Sequence, residues 1–125
     1  MPRILIVDDE PEICECLKDF FQGKGFSVLM AFSGEAALQQ LSQQRVEVIL
    51  LDVKLPGLHG LEVLKRIKQM IPEAKVVMVS GLTYPELRRR ARRYGACAYV
   101  TKPFDFSEDT WAPVLCETSG YLANY

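Results

Sequence analysis

Short apolar runs alternate along this chain with segments in which apolar residues recur every three or four positions. Arg3 to Val7 contains Ile-Leu-Ile-Val and ends in acids, which predicts a first strand. Pro11 suits the first turn of a helix, and Ile13, Cys16, Leu17, Phe20 and Phe21 follow the spacing of one buried face. Gly23 and Gly25 stop that helix. Ser27 to Ala31 reads as a second, weaker strand. Ser33 then caps a helix through about Gln43, with Ala37, Leu38 and Leu41 inward. Val46 to Leu51 is nearly all apolar, as a strand covered on both faces requires, and it ends at Asp52. Pro56 and Gly57 mark a loop. Val63, Leu64, Ile67, Met70 and Ile71 predict the next helix, and Val76 to Val79 a fourth strand that runs into Ser80-Gly81. Pro85 opens a helix with Leu87, Ala91 and Tyr94 on one face. Ala98 to Thr101 is a fifth strand ending at Lys102-Pro103.

Strands alternating with helices argue for an α/β fold: a parallel sheet with helices on both faces and right-handed crossovers. The end of the chain breaks the pattern. Ser107 is a good N-cap, but Pro113 falls where a helix interior is expected, at a cost of ~3 kcal/mol or more. Gly120 stops any continuation. The expectation is one short or broken helix around 113–119, with Trp111 and Leu115 against the sheet.

At 125 residues, with no internal repeat and no low-complexity linker, the chain reads as a single domain over 1–125, with 107–125 atypical. Its net charge of −1 argues against a molecule built as a whole to bind polyanions, and no direct nucleic-acid binding is expected. No apolar stretch approaches the ~20 residues that span a bilayer, so no membrane association is expected. The first residues meet acids at once and lack a cleavage site, which argues against a signal peptide and for the cytoplasm. The cysteines 14, 16, 97 and 116 form no Cys-x-x-Cys pair and the lone His59 is distant, so reduced packing thiols are expected rather than a zinc site.

Polar residues recur at strand ends: Asp8 and Asp9 after the first, Asp52 after the third, Ser80 after the fourth, Lys102 after the fifth. Open parallel sheets bind ligands beyond the carboxyl ends of their strands. If the first and third strands are neighbours, carboxylates converge there, and like charges so close shift one another's pKa or require a cation. Mg²⁺, which prefers oxygen ligands, resolves the conflict and lets an anionic phosphodonor approach. Lys102 supplies a second positive group, and a carboxylate nucleophile yields an aspartyl phosphate. Each residue also has a plainer reading: Asp8-Asp9-Glu10 as helix-capping acids, Ser80 as a turn former, Tyr99 as half-buried core, Lys54 and His59 as exposed surface.

Asp8-Asp9 after an apolar strand, Asp52 after Val-Ile-Leu-Leu, Pro56-Gly57 with Gly60, Ser80, and Lys102-Pro103 form a combination far more specific than its parts. With it the chain resembles the response-regulator receiver family over about residues 3 to 106. The resemblance implies a flavodoxin-like doubly wound sheet of strand order 2-1-3-4-5. It implies Mg²⁺ held by Asp9, Asp52 and the backbone carbonyl of Lys54, with Asp8 helping mainly through water. It also implies phosphorylation of Asp52 from a sensor histidine kinase, Ser80 and Lys102 turned to the phosphoryl group, Tyr99 as a switching aromatic, and a cis bond between Lys102 and Pro103. Catalysis would be confined to the chain's own phosphoryl transfer and hydrolysis.

Two rival functions use the same fold: a flavin or nucleotide binder, and a Mg²⁺-dependent phosphotransferase or phosphatase for small molecules. The first wants glycines and hydroxyls after the first strand, where this chain has Asp-Asp-Glu-Pro-Glu. The second wants a lid and a further acid or base, and the loops are short. The run Arg88-Arg89-Arg90-Ala91-Arg92-Arg93 reads either as a solvated helix face or as a docking surface for an acidic partner or a second copy through Arg88, Arg89, Arg92 and Arg93.

Overall fold

The computed structural model describes residues 2–117, with side chains described through residue 115. Five strands and five helices alternate: β1 (Arg3–Val7), α1 (Pro11–Gly23), β2 (Ser27–Ala31), α2 (Gly34–Gln43), β3 (Val48–Leu51), α3 (Gly60–Met70), β4 (Lys75–Ser80), α4 (Pro85–Arg93), β5 (Ala98–Thr101) and α5 (Glu108–Glu117). The strands form one parallel sheet in the order β2-β1-β3-β4-β5, the flavodoxin-like arrangement expected.

Alternation along each strand divides the core into two layers. Leu5, Val7, Ile49, Leu51, Val76 and Met78 face α2, α3 and α4, meeting Ala37, Leu41, Val63, Leu64, Ile67 and Ala91. Ile4, Ile6, Val48, Leu50, Val77, Val79 and Val100 face α1 and α5, meeting Cys14, Leu17, Phe21, Trp111 and Val114. Both faces are covered, which is why β3 is apolar at every position. The predicted strand from Val46 is shorter in fact, beginning at Val48.

Three local expectations are corrected. In α1 the buried line is Cys14, Leu17 and Phe21, and Cys16 is exposed. Two residues are about 200° around a helix, so the two cysteines cannot share a face. In α3, Met70 is 45% exposed, because the helix meets the sheet through Val63, Leu64 and Ile67.

The last helix begins at Glu108 rather than near Pro113 and carries Pro113 inside it. The Ser107 hydroxyl accepts the Thr110 N–H at 3.2 Å and so caps the start. Pro113 leaves the Asp109 carbonyl without its intrahelical donor, but Asp109 is exposed and water can serve it. Trp111, 0% exposed, packs edge-on to Phe21 and Phe104 and donates its indole N–H to the Asp105 carbonyl at 2.7 Å. Burial of that side chain, at ~2–3 kcal/mol, offsets most of the proline's cost. The expected continuation past Glu117 lies outside the described residues.

Candidate functional site

The sheet register carries polar residues to one end. Val7 is opposite Leu51, so Asp8 and Asp52 leave adjacent strands side by side. Backbone bonds extend the ladder past the strand ends: Asp8 N–H to Ala31 at 3.1 Å, Asp52 N–H to Val7 at 3.0 Å and Lys102 N–H to Ser80 at 2.9 Å. These bonds fix the starting points of three functional side chains to the rigid sheet rather than to loops.

There Lys102 Nζ lies 2.7 Å from Asp8 Oδ2, 2.9 Å from Asp52 Oδ2 and 3.2 Å from Glu10 Oε1. Asp52 Oδ1 accepts the Lys54 N–H at 3.2 Å, and Asp8 Oδ1 accepts the Glu10 N–H at 3.0 Å. Asp8 and Asp52 are buried, Asp9 and Glu10 exposed, and one carboxylate oxygen from each of the four lies within 4.8 Å of the others. A cavity of about 300 Å³ opens above them, lined by Asp9, Glu10, Asp52, Lys54, Ser80 and Lys102, with Gly81 and Leu82 at its edge.

Burial raises the pKa of the Asp8 carboxyl, and bonds from Lys102 and the Glu10 N–H only partly offset that. Burial works to lower the pKa of Lys102, but hydrogen bonds to Asp8 and Asp52 prevail and hold its ammonium well above lysine's usual range. The Lys102 shift keeps the proton on the amine, and the raised Asp8 carboxyl marks an acid whose burial its partners only partly offset, so a single ammonium serves several acids. Beneath them the Cys14 thiol, donating to the Asp8 carbonyl, is pushed up to about 11 by burial and by the nearby Asp8 charge, which leaves it an inert core group.

The donor set suits a hard divalent cation. Among the described residues, carboxylate oxygens of Asp8, Asp9, Glu10 and Asp52 lie within 4.8 Å of one another, and the Lys102 ammonium pairs with three of these acids. Gly60 packs directly against the segment after β3: a Cβ there would stand 2.2 Å from the Asp52 carbonyl oxygen and 2.5 Å from Val53 Cα. Any side chain there would push the segment after β3 off the acids.

Ser80 is buried, lines the cavity and accepts the Leu82 N–H at 3.2 Å. Tyr99 is half-buried on the far side of that turn, its hydroxyl donating to the Leu82 carbonyl. The Lys102–Pro103 bond is cis. Arg88, Arg89 and Arg92 line a separate groove of about 590 Å³ between α4 and β5, and Arg93 is exposed outside it.

Two roles were not anticipated. Glu10, expected as a helix-capping acid, is the third carboxylate on Lys102; its place as the third acid of Asp-Asp-Glu was the available signal. His59, expected as plain surface, caps α3, its Nδ1 accepting the Leu61 N–H at 3.1 Å.

A family model described as the response regulator receiver domain matches residues 4–110. Sporulation initiation phosphotransferase F of Bacillus subtilis is 33% identical over 106 residues, covering 85% of this chain and 86% of that protein. The chain spans only half, or about a quarter, of the length of related transcriptional regulators. A CheY-like response regulator receiver domain protein from Methanospirillum hungatei superposes with a TM-score of 0.91 at 27% identity, covering 100% of this chain and 99% of that one. The response regulator TrrA of Thermotoga maritima, solved in complex with Mg²⁺-BeF, is 37% identical with a TM-score of 0.77, over 86% of this chain and 92% of that one. No helix among the described residues is long and apolar enough to cross a membrane. With a family match over most of its length and the acids of Asp8, Asp9 and Asp52 gathered at the family's site, this chain is a member of the response regulator receiver domain family.

Proposed function

We propose that this chain is a phosphorylation-dependent switch in which Asp52 accepts a phosphoryl group from a histidine kinase. The observation that carries the reading is the position of the Asp52 carboxylate: at the floor of an open cavity, among three other acids, with its Oδ2 2.9 Å from the Lys102 ammonium.

Asp9, Asp52 and the carbonyl of Lys54 would hold Mg²⁺, with Asp8 assisting, and the ion would neutralise charge on the phosphoryl oxygens. The chain's own residues do the rest. An Asp52 carboxylate oxygen attacks phosphorus; the P–O bond forms as the donor's P–N bond breaks, and the released imidazole nitrogen takes up a proton. Lys102, fixed by the ladder bond to Ser80, offers its ammonium to the transferred group. Ser80 gives up the Leu82 N–H and turns its hydroxyl toward the same oxygens. Tyr99, which holds Leu82 from the other side, moves with it, and the α4–β5 face changes. The arginines of that face suit an acidic partner or a second copy of the chain. A cytoplasmic setting fits a soluble kinase domain as donor.

Intact-mass measurement after incubation with acetyl phosphate and Mg²⁺ tests the reading. Wild type gains one phosphoryl group and Asp52→Asn gains none. An equal gain in both rejects Asp52 as the acceptor.

A further inference from the structure

The net charge of −1 hides a division between the two sides of the sheet. α1 and α5 cover one side, and α3 and α4, with α2, cover the other. α3 and α4 together hold eight basic residues and two acidic ones, whereas α1 and α5 hold one basic residue and six acidic ones. Each side therefore presents a field of one sign.

Each field has a concentrated patch. On α1, Glu12, Glu15 and Asp19 follow at steps of three and four, so they form one exposed stripe. Glu15 meets Lys18 at 3.7 Å, and Glu12 and Asp19 form no ion pair among the described residues. On α4, Arg88, Arg89 and Arg92 line the groove of about 590 Å³ beside β5. Arg89 meets Glu86 at 2.9 Å, and Arg88 and Arg92 form no ion pair among the described residues. Like charges at these spacings repel along each helix, and a surface of the opposite sign relieves that repulsion.

The chain itself supplies both surfaces. The acids form a ridge on a helix, and the arginines line a concave groove that a helix ridge can enter. The two patches lie on opposite sides of the sheet and cannot meet within one copy. A second copy, however, always offers the ridge that the first copy's groove takes.

We propose that the α4 arginine groove of one copy receives the α1 acidic stripe of another, a head-to-tail contact held by charge complementarity. Such a contact is heterologous: each copy meets one neighbour through α1 and a different one through α4, so assembly continues past a pair. Exposed ion pairs are weak one by one, so the association is reversible and strongest at low salt and high protein concentration. It goes beyond the switch reading and does not use Asp52 as acceptor.

Sedimentation equilibrium of the full chain over a range of protein concentrations tests the contact. At ~0.01 M salt the weight-average mass of wild type rises with concentration beyond that of a dimer, and at ~1 M salt, where the screening length falls from about 30 to about 3 Å, it returns to that of a monomer. Two charge-reversed proteins, Glu15→Lys with Asp19→Lys and Arg89→Glu with Arg92→Glu, each stay monomeric at low salt. Mixed in equal amounts they associate again, because the reversed α1 of one now complements the reversed α4 of the other. Glu15→Gln with Asp19→Asn, which removes charge without adding any, loses the association as high salt does and covers the case of a reversed protein that does not fold. Wild type that stays monomeric at low salt overturns the proposal; binding of hexaglutamate to that monomer would assign the groove to a different, acidic partner. Association unaffected by the α1 substitutions, or a mass that levels off at a dimer, overturns it in favour of the arginine face meeting itself. A mixture that stays monomeric also overturns it. Because none of these masses depends on phosphoryl transfer, failure of the Asp52 reading would leave the contact standing, and the reverse.

Discussion

Lys102 Nζ and Asp52 Oδ2, from residues 50 positions apart, meet at 2.9 Å with the lysine side chain only 14% exposed. Neither strand end requires the other by itself. The pairing of β4 with both β3 and β5 is what brings the two together. Their contact makes the ammonium the internal counter-ion of an acidic cluster.

Removing that counter-ion has a predictable cost. In the absence of divalent cations, Lys102→Met lowers the unfolding free energy at neutral pH by ~1–3 kcal/mol, because partly buried acids are left uncompensated. Added Mg²⁺ stabilises the variant more than wild type, since the ion no longer competes with the amine. Urea unfolding with and without Mg²⁺ measures both effects. An equal response of the two proteins contradicts the view of the cluster as a cation site.

Gly60 separates steric need from backbone freedom. Gly60→Ala forces a Cβ against the Asp52 and Val53 backbone and costs ~1–3 kcal/mol. Gly23→Ala, at the end of α1 with no atom within 4 Å of the new Cβ, gains ~0.5–1 kcal/mol. Denaturant midpoints of the two variants should move in opposite directions.

The strand ends were legible in the chain because an apolar run covered on both faces has one place to stop, at the first group that needs water or a partner. Asp8, Asp52, Ser80 and Lys102 were therefore readable as neighbours of one crevice before any coordinates. What escaped depended on phase and on distant packing. Ile13, Cys16 and Phe20 fit a helical stripe nearly as well as Cys14, Leu17 and Phe21, and only the sheet beneath chooses between them. Glu10 owes its role to a lysine 92 residues away. The onset of α5 was misplaced because a proline's local penalty is visible in sequence, whereas the aromatic nest that offsets it is assembled from α1, the loop after β5 and α5.

That balance predicts opposite effects within one helix. Pro113→Ala restores an intrahelical bond and raises stability by ~1–3 kcal/mol. Trp111→Ala opens a cavity and lowers it by ~3–5 kcal/mol. Thermal melts of both variants check the assignment; a stabilised Trp111→Ala would mean that α5 does not seat its indole in the core.

The location of the phosphoryl group tests the account most directly. Borohydride reduces an aspartyl phosphate to homoserine, leaving a permanent mark at the acceptor that peptide mass spectrometry can read. After incubation with acetyl phosphate and Mg²⁺, homoserine at position 52, and at neither 8 nor 9, is the predicted result. Homoserine at Asp8 or Asp9 with Asp52 unmodified would contradict it.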